Sequence, residues 1–152
     1  MIRVGMIDDL ELIRSTFTTP HVWDAMSDDG FIKPEEFVPQ FRKNTWYLGA
    51  WDDSEYLGMF IIYTLNAILC DVHVALLKNC GGIRALKAGR MAFEWCFENT
   101  PFRRFTSANP TCNRLGLRYA KLLGFKEFGL NPGAWLKNGK VYDIILLGVS
   151  HG

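Results

Sequence analysis

A chain of 152 residues, 49% hydrophobic, 14% aromatic and 22% charged, fits one domain that buries about two-thirds of its unfolded surface, which excludes a disordered chain. A formal net charge of +1 gives no global attraction to nucleic acid, so any anion site must be local. Cys70, Cys80, Cys96 and Cys112 form no CxxC pair and no zinc-like spacing with histidines, so reduced, mostly buried thiols, no metal and a cytosolic location are expected.

The N-terminal "MIRVGMIDDLELI" lacks the apolar core of a signal peptide; "IRVGMI" reads as a strand and "DDLELIRSTF" as a helix with Leu10, Ile13 and Phe17 on one stripe. From Thr18 to Phe41, Pro20, Pro34, Pro39 and "SDDG" cut the chain into short helical pieces. "TWYLGAWD" and "EYLGMFIIYTL" form a hairpin on a "DDSE" turn. The apolar run there is about half the length that spans a bilayer, so no membrane partner is expected.

"AILCDVHVALL" is a further strand in series. The Gly81-Gly82 pair and a helix to Asn99 follow, with Leu86, Gly89, Phe93 and Cys96 on one face and Arg90, Glu94 and Glu98 on another. "RRFTSAN" is the next strand, and "PTCNRLGLRYAKLLGF" a helix started by Pro110 and closed by Gly124. "GAWLK" and "KVYDIILLGV" make a closing hairpin on Asn138-Gly139. The elements run β-α-(α)-β-β-β-α-β-α-β-β in one domain over residues 1–152.

The helix after Gly82 reverses the usual order of charge. After Asp71 the next acidic residue is Glu94, while Lys78, Arg84, Lys87 and Arg90 gather at an N-terminus whose dipole disfavours cations. A bound anion would make the cluster favourable. On the preceding strand Asp71, His73, Ala75 and Leu77 share one face, while Val72, Val74 and Leu76 share the other and read as core. Asp71 and His73 stand about 7 Å apart along the strand. His73 reads as a base or relay, with Asp71 as its orienting partner or the base itself, against the plainer reading of a polar pair on a half-exposed strand. His21 and His151 are weaker candidates.

The element order, "GGIRALKAGRMAFEWCFEN" and "NRLGLRYAKLLGF" resemble the GNAT superfamily of N-acetyltransferases, and the texture is similar to ribosomal-protein N-terminal acetyltransferases and small phage-encoded members. The resemblance implies an α/β (α+β) fold with a mixed, mostly antiparallel sheet of about seven strands flanked by helices. It implies direct acetyl transfer from acetyl-CoA to a primary amine of a protein N-terminus, a lysine or a small molecule, with a homodimer left open. In that family a Q/R-x-x-G-x-G/A loop wraps the pyrophosphate. Here Gly82 fills the first glycine position, Asn79 stands at Q/R, and Arg84, at the second small position, would supply a direct charge.

Cofactor contacts then fall to Ala75, Leu76 and Leu77 on the strand, to Cys80, Gly81, Gly82, Ile83, Arg84 and Ala85 on the loop and helix start, and to Asn113 and Ala120 on the later helix. Ala120 stands where many members carry a tyrosine that protonates the thiolate, and is expected to face the cofactor cleft. Tyr119, in line with Leu115 and Leu122, reads as core. The acid is left as water, a hydroxyl such as Ser107, or absent. The acceptor groove should lie between residues 18–41 and the last hairpin, where Trp23, Phe31, Phe37 and Trp135 face substrate or core. The rival reading is a GNAT-fold scaffold or assembly protein, in a phage setting, with cofactor binding retained or decayed and no catalysis.

Overall fold

A computed structural model describes residues 1–151. Seven strands, β1 (Ile2–Met6), β2 (Thr45–Asp52), β3 (Glu55–Thr64), β4 (Leu69–Leu76), β5 (Arg104–Pro110), β6 (Lys126–Lys137) and β7 (Lys140–Ser150), form one sheet in the order β1-β2-β3-β4-β5-β7-β6. Only β4 and β5 run parallel; every other neighbouring pair is antiparallel. The helices are α1 (Leu10–Phe17), α2 (Pro20–Met26), α3 (Ile83–Asn99) and α4 (Arg114–Leu122), with a 3-10 turn at Pro34–Glu36. The order and class are those expected from the sequence.

Local chemistry sets the boundaries. The Asp9 carboxylate accepts from the amides of Glu11 and Leu12 at 3.0 and 3.2 Å and caps α1. Pro20 opens α2 at a position where no amide is needed. Asn138 and Gly139 take φ of 52° and 76°, the left-handed pair that turns a two-residue hairpin.

The sheet is packed on both faces. Met59 and Ile61 of β3 belong to a cluster with Ile7, Ile13, Phe17 and Ala75, whereas Phe60 and Ile62 pack with Val72, Ala88, Ala92, Cys96 and Phe105. Burial on both sides explains why β3 reads as a continuous apolar run. It also corrects the assignment of one core face to β4, since Ala75 is fully buried while Val74 on the opposite face is 37% exposed.

Two expectations for the C-terminal third are overturned. α4 starts after Asn113, whose side-chain oxygen accepts from the Gly116 amide at 3.0 Å, while Pro110 ends β5. The stripe of Leu115, Tyr119 and Leu122 is not the buried one: Leu115 and Leu122 are 81% and 52% exposed, and Ala120 is 6% exposed within the core. The reason is steric. α3 and α4 meet through small residues, and a Cβ on Gly89 would lie 2.5 Å from the Tyr119 hydroxyl and 2.8 Å from Leu123 Cδ1. β6 also begins earlier than "GAWLK", with irregular register between Glu127 and Gly129 and between Asn131 and Trp135.

Candidate active site

The parallel register of β4 with β5 ends at Asp71↔Thr106, yet β4 continues to Leu76. Leu77 N–H donates to the Leu57 carbonyl at 2.9 Å, so odd-numbered residues of β4 turn their backbone groups to β3. Val74 and Leu76 therefore turn theirs toward β5, past the point where the strands part. The result is an open wedge in mid-sheet with Val74 exposed at its side. No feature of "AILCDVHVALL" or "RRFTSAN" signals where a parallel register stops.

Beyond the wedge, the chain turns through Lys78–Gly82 into α3. The Cys80 N–H donates to Leu77 O at 2.9 Å, and the buried Cys80 and Ala85 side chains anchor the turn in the core. Gly82 caps α3 with φ 57° and ψ −127°, conformations a side chain rarely adopts, and no side chain caps the helix. A Cβ at Gly81 or Gly82 would have no atom within 4 Å, Ile83 is 70% exposed, and the first turn holds no acidic residue. Uncapped amides at a helix N-terminus, fronted by open space, suit an anionic group such as a phosphate.

Arg84 is not a free charge. It pairs with Glu55 Oε1, lies 3.3 Å from Asp52 Oδ2, and donates to the Asn79 carbonyl at 2.9 Å. The Asn79 side-chain amide donates to Glu55 Oε2 at 2.8 Å. Arg84, then Asn79, hold the Glu55 carboxyl below its ordinary pKa. The two residues brace the loop against the β2–β3 turn because a carboxylate of that turn lies within reach, which the spacing of the loop motif does not reveal.

Asp71 and His73 come together more closely than strand spacing implies. His73 Nε2 lies 3.3 Å from Asp71 Oδ2, and Thr106 Oγ1 donates to Asp71 Oδ1 at 3.1 Å across the last paired rung. Tyr63 meets the His73 ring edge-on at 5.2 Å, and burial pushes its phenol pKa up. The side chains of His73 and Asp71 are 41% and 24% exposed, which leaves a carboxylate–imidazole pair accessible and oriented. Ala75 has no accessible side chain and its backbone groups face Met59 of β3, so its assignment as a cofactor contact is corrected, while Leu76 is half-buried.

The sequence placed less weight on His21, yet its Nε2 reaches from α2 to the Leu76 carbonyl at 3.0 Å. Its position between Pro20 and the apolar Val22 gave no signal of that reach. His151 stacks on Phe97 at 4.1 Å.

On α4, Asn113 is occupied as the helix cap and Ala120 faces the core, so its assignment to a cofactor cleft is corrected. The Tyr119 hydroxyl donates to Ala85 O at 2.6 Å, and burial raises its pKa. Ser107 Oγ accepts from Asn109 Nδ2 at 2.8 Å.

The two segments expected to wall the acceptor groove are tied together. The Asp29 carboxylate accepts from the amides of Asn138 and Gly139 at 2.8 and 2.9 Å, and Lys137 Nζ donates to Ser27 O and Asp24 O at 2.6 and 2.7 Å. The backbone donors at Gly139, then Asn138, hold the Asp29 carboxyl below its ordinary pKa. Trp23 and Phe37 pack on Phe17 at 5.5 and 4.5 Å in the second core, while Phe31 is 43% exposed and Trp135 half-buried. Among the described residues no helix is long and apolar enough to cross a membrane.

A family model described as "Protein of unknown function (DUF2824)" matches residues 2–151. No curated protein matches the sequence. Solved structures do match in fold. Spermidine N-acetyltransferase from Vibrio cholerae, in complex with CoA and spermine, is 12% identical over 98% of this chain and 95% of that one, with a TM-score of 0.80. An acetyltransferase of the GNAT family from Streptococcus pneumoniae is 16% identical over 99% and 100%, with a TM-score of 0.73. The ribosomal-protein-S18-alanine N-acetyltransferase from Escherichia coli is 10% identical over 99% and 94%, with a TM-score of 0.68. The fold of this chain is the GNAT fold.

Proposed function

We propose that this chain, which belongs to the family of proteins of unknown function DUF2824, is a cytosolic N-acetyltransferase that takes its acetyl group from acetyl-CoA and delivers it to a primary amine. One observation carries the reading: the open edge of β4 leads directly to the uncapped, acid-free N-terminus of α3 at Gly82. An extended arm fits beside a strand edge whose amides and carbonyls lack a partner strand, and a diphosphate fits the helix amides. Gly81, Gly82 and the α3 amides would hold the diphosphate. Val74 would hold the arm through its N–H and carbonyl, and Leu76 through its N–H, its carbonyl being engaged by His21 Nε2. Bound there, acetyl-CoA supplies an activated thioester.

The chain's own residues supply orientation and proton transfer. His73, steadied by Asp71 and through it by Thr106, stands beside the wedge as the base for an ammonium acceptor. Tyr63 fixes the ring from the side. The tie between Asp29 and the β6–β7 turn holds both groove walls in place before substrate arrives, which saves ordering entropy.

The test is transfer of a labelled acetyl group to spermidine, free lysine and a short peptide with an N-terminal alanine, followed by mass spectrometry. Acetylation of at least one amine is expected. His73→Gln should lower turnover by about 10² to 10⁴ with acetyl-CoA affinity nearly unchanged. Wild-type turnover in that variant would return His73 to a purely structural place.

A further inference from the structure

The proton that the departing thiolate needs has no source at the two α4 positions weighed from the sequence, Tyr119 and Ala120. Tyr119 gives its hydroxyl proton to Ala85 O and Ala120 lies in the core, while Ser107 Oγ accepts from Asn109 Nδ2 and keeps its own proton. His21 is placed differently. It stands in the first turn of α2, half-buried, with Nε2 3.0 Å from the carbonyl of Leu76. A carbonyl only accepts, so Nε2 carries the proton.

That carbonyl lies on the β5-facing edge of β4, beyond the last rung at Asp71↔Thr106. A proton-bearing imidazole nitrogen therefore sits on the open edge itself. The Asp71–His73 pair projects from the sheet face that α1 and α2 cover, two to four residues earlier on the same strand. Two imidazoles attend one wedge from different places.

We propose that His21 protonates the leaving sulfur while His73 and Asp71 take the proton of the amine; this rests on the acetyl-transfer reading above. As the amine nitrogen bonds to the acetyl carbon and the C–S bond breaks, the electron pair stays on sulfur. His21, doubly protonated, exchanges its bond to Leu76 O for one to that sulfur and passes over the Nε2 proton. It remains as the neutral ring with its proton on Nδ1, and water restores the other. The amine and thioester become amide and thiol with no further reactant.

The test reads binding as well as turnover. By calorimetry, the wild type should bind CoA about tenfold more tightly than desulfo-CoA, which lacks the sulfur, because a donor to a thiolate is charge-assisted. His21→Ala should erase that preference and leave desulfo-CoA affinity as it was. His21→Gln keeps a donor for Leu76 O but has no proton to transfer, and should lower thiol release from acetyl-CoA, with spermidine, lysine or the alanine peptide as acceptor, by about 10² or more. An undiminished preference for CoA in His21→Ala, or wild-type thiol release in His21→Gln, overturns the assignment. A wild type that binds neither CoA nor desulfo-CoA overturns the transfer reading instead, so the two failures are told apart.

Discussion

Replacing Gly89 with alanine sets two effects against each other. In a helix interior alanine is favoured over glycine by about 1 kcal/mol. Here the new Cβ would sit 2.5 Å from the Tyr119 hydroxyl and 2.8 and 2.9 Å from the two methyls of Leu123. Overpacking of this kind costs about 1–3 kcal/mol. Moving Tyr119 aside also breaks its 2.6 Å bond to Ala85 O and leaves a buried hydroxyl unpaired at about 1–3 kcal/mol. The balance is a net loss of about 1–5 kcal/mol, or roughly 2–20 °C in melting temperature for a chain of this size.

Urea and thermal unfolding of Gly89→Ala measure it. The double variant with Tyr119→Phe, which removes the hydroxyl, should recover part of the loss, with a coupling of about 0.5 kcal/mol or more. A Gly89→Ala protein as stable as the wild type, or more stable, would refute the account of how α3 and α4 meet.

Ala120→Tyr should lower stability by about 2 kcal/mol or more in the same assays, because position 120 is 6% exposed in the core. The Asp29 latch should open with acid. Its carboxyl pKa is depressed in the folded state, so its stabilisation is present above the unfolded value and lost as pH falls through the folded one. Protection of the Asn138 and Gly139 amides, measured against their intrinsic exchange rates, should fall below the ordinary carboxylate range, and Asp29→Asn should show reduced protection at neutral pH.

The sequence resolved those elements whose signals are local. Proline at the start of α2, Asn138-Gly139 in the last hairpin and the Asp pair before α1 each act through one turn of backbone. The glycine turn was legible from Gly81-Gly82 between a strand and a helix, but the partners of Arg84 were not, since Glu55 and Asp52 reach it from the β2–β3 turn. Four features depend on groups far apart in the chain. Arg84 finds Glu55 across a separation of 29 residues, and His21 finds Leu76 across 55. The wedge depends on where β5 departs from β4. On α4, apolar periodicity pointed to Leu115 and Leu122, but Gly89 and Ala120 allow a close approach that turns those leucines outward.

The central claim, that the open edge of β4 and the α3 N-terminus form one acetyl-CoA site, is tested most directly by thermal unfolding with and without acetyl-CoA. At about 100 times its dissociation constant the ligand should add about 2.7 kcal/mol and raise the melting temperature by roughly 5–10 °C. Gly82→Val, a side chain forced into φ 57° in front of the amides, should still fold by circular dichroism and show no such rise. No shift in the wild type at millimolar acetyl-CoA, or the same shift in Gly82→Val, would contradict the account.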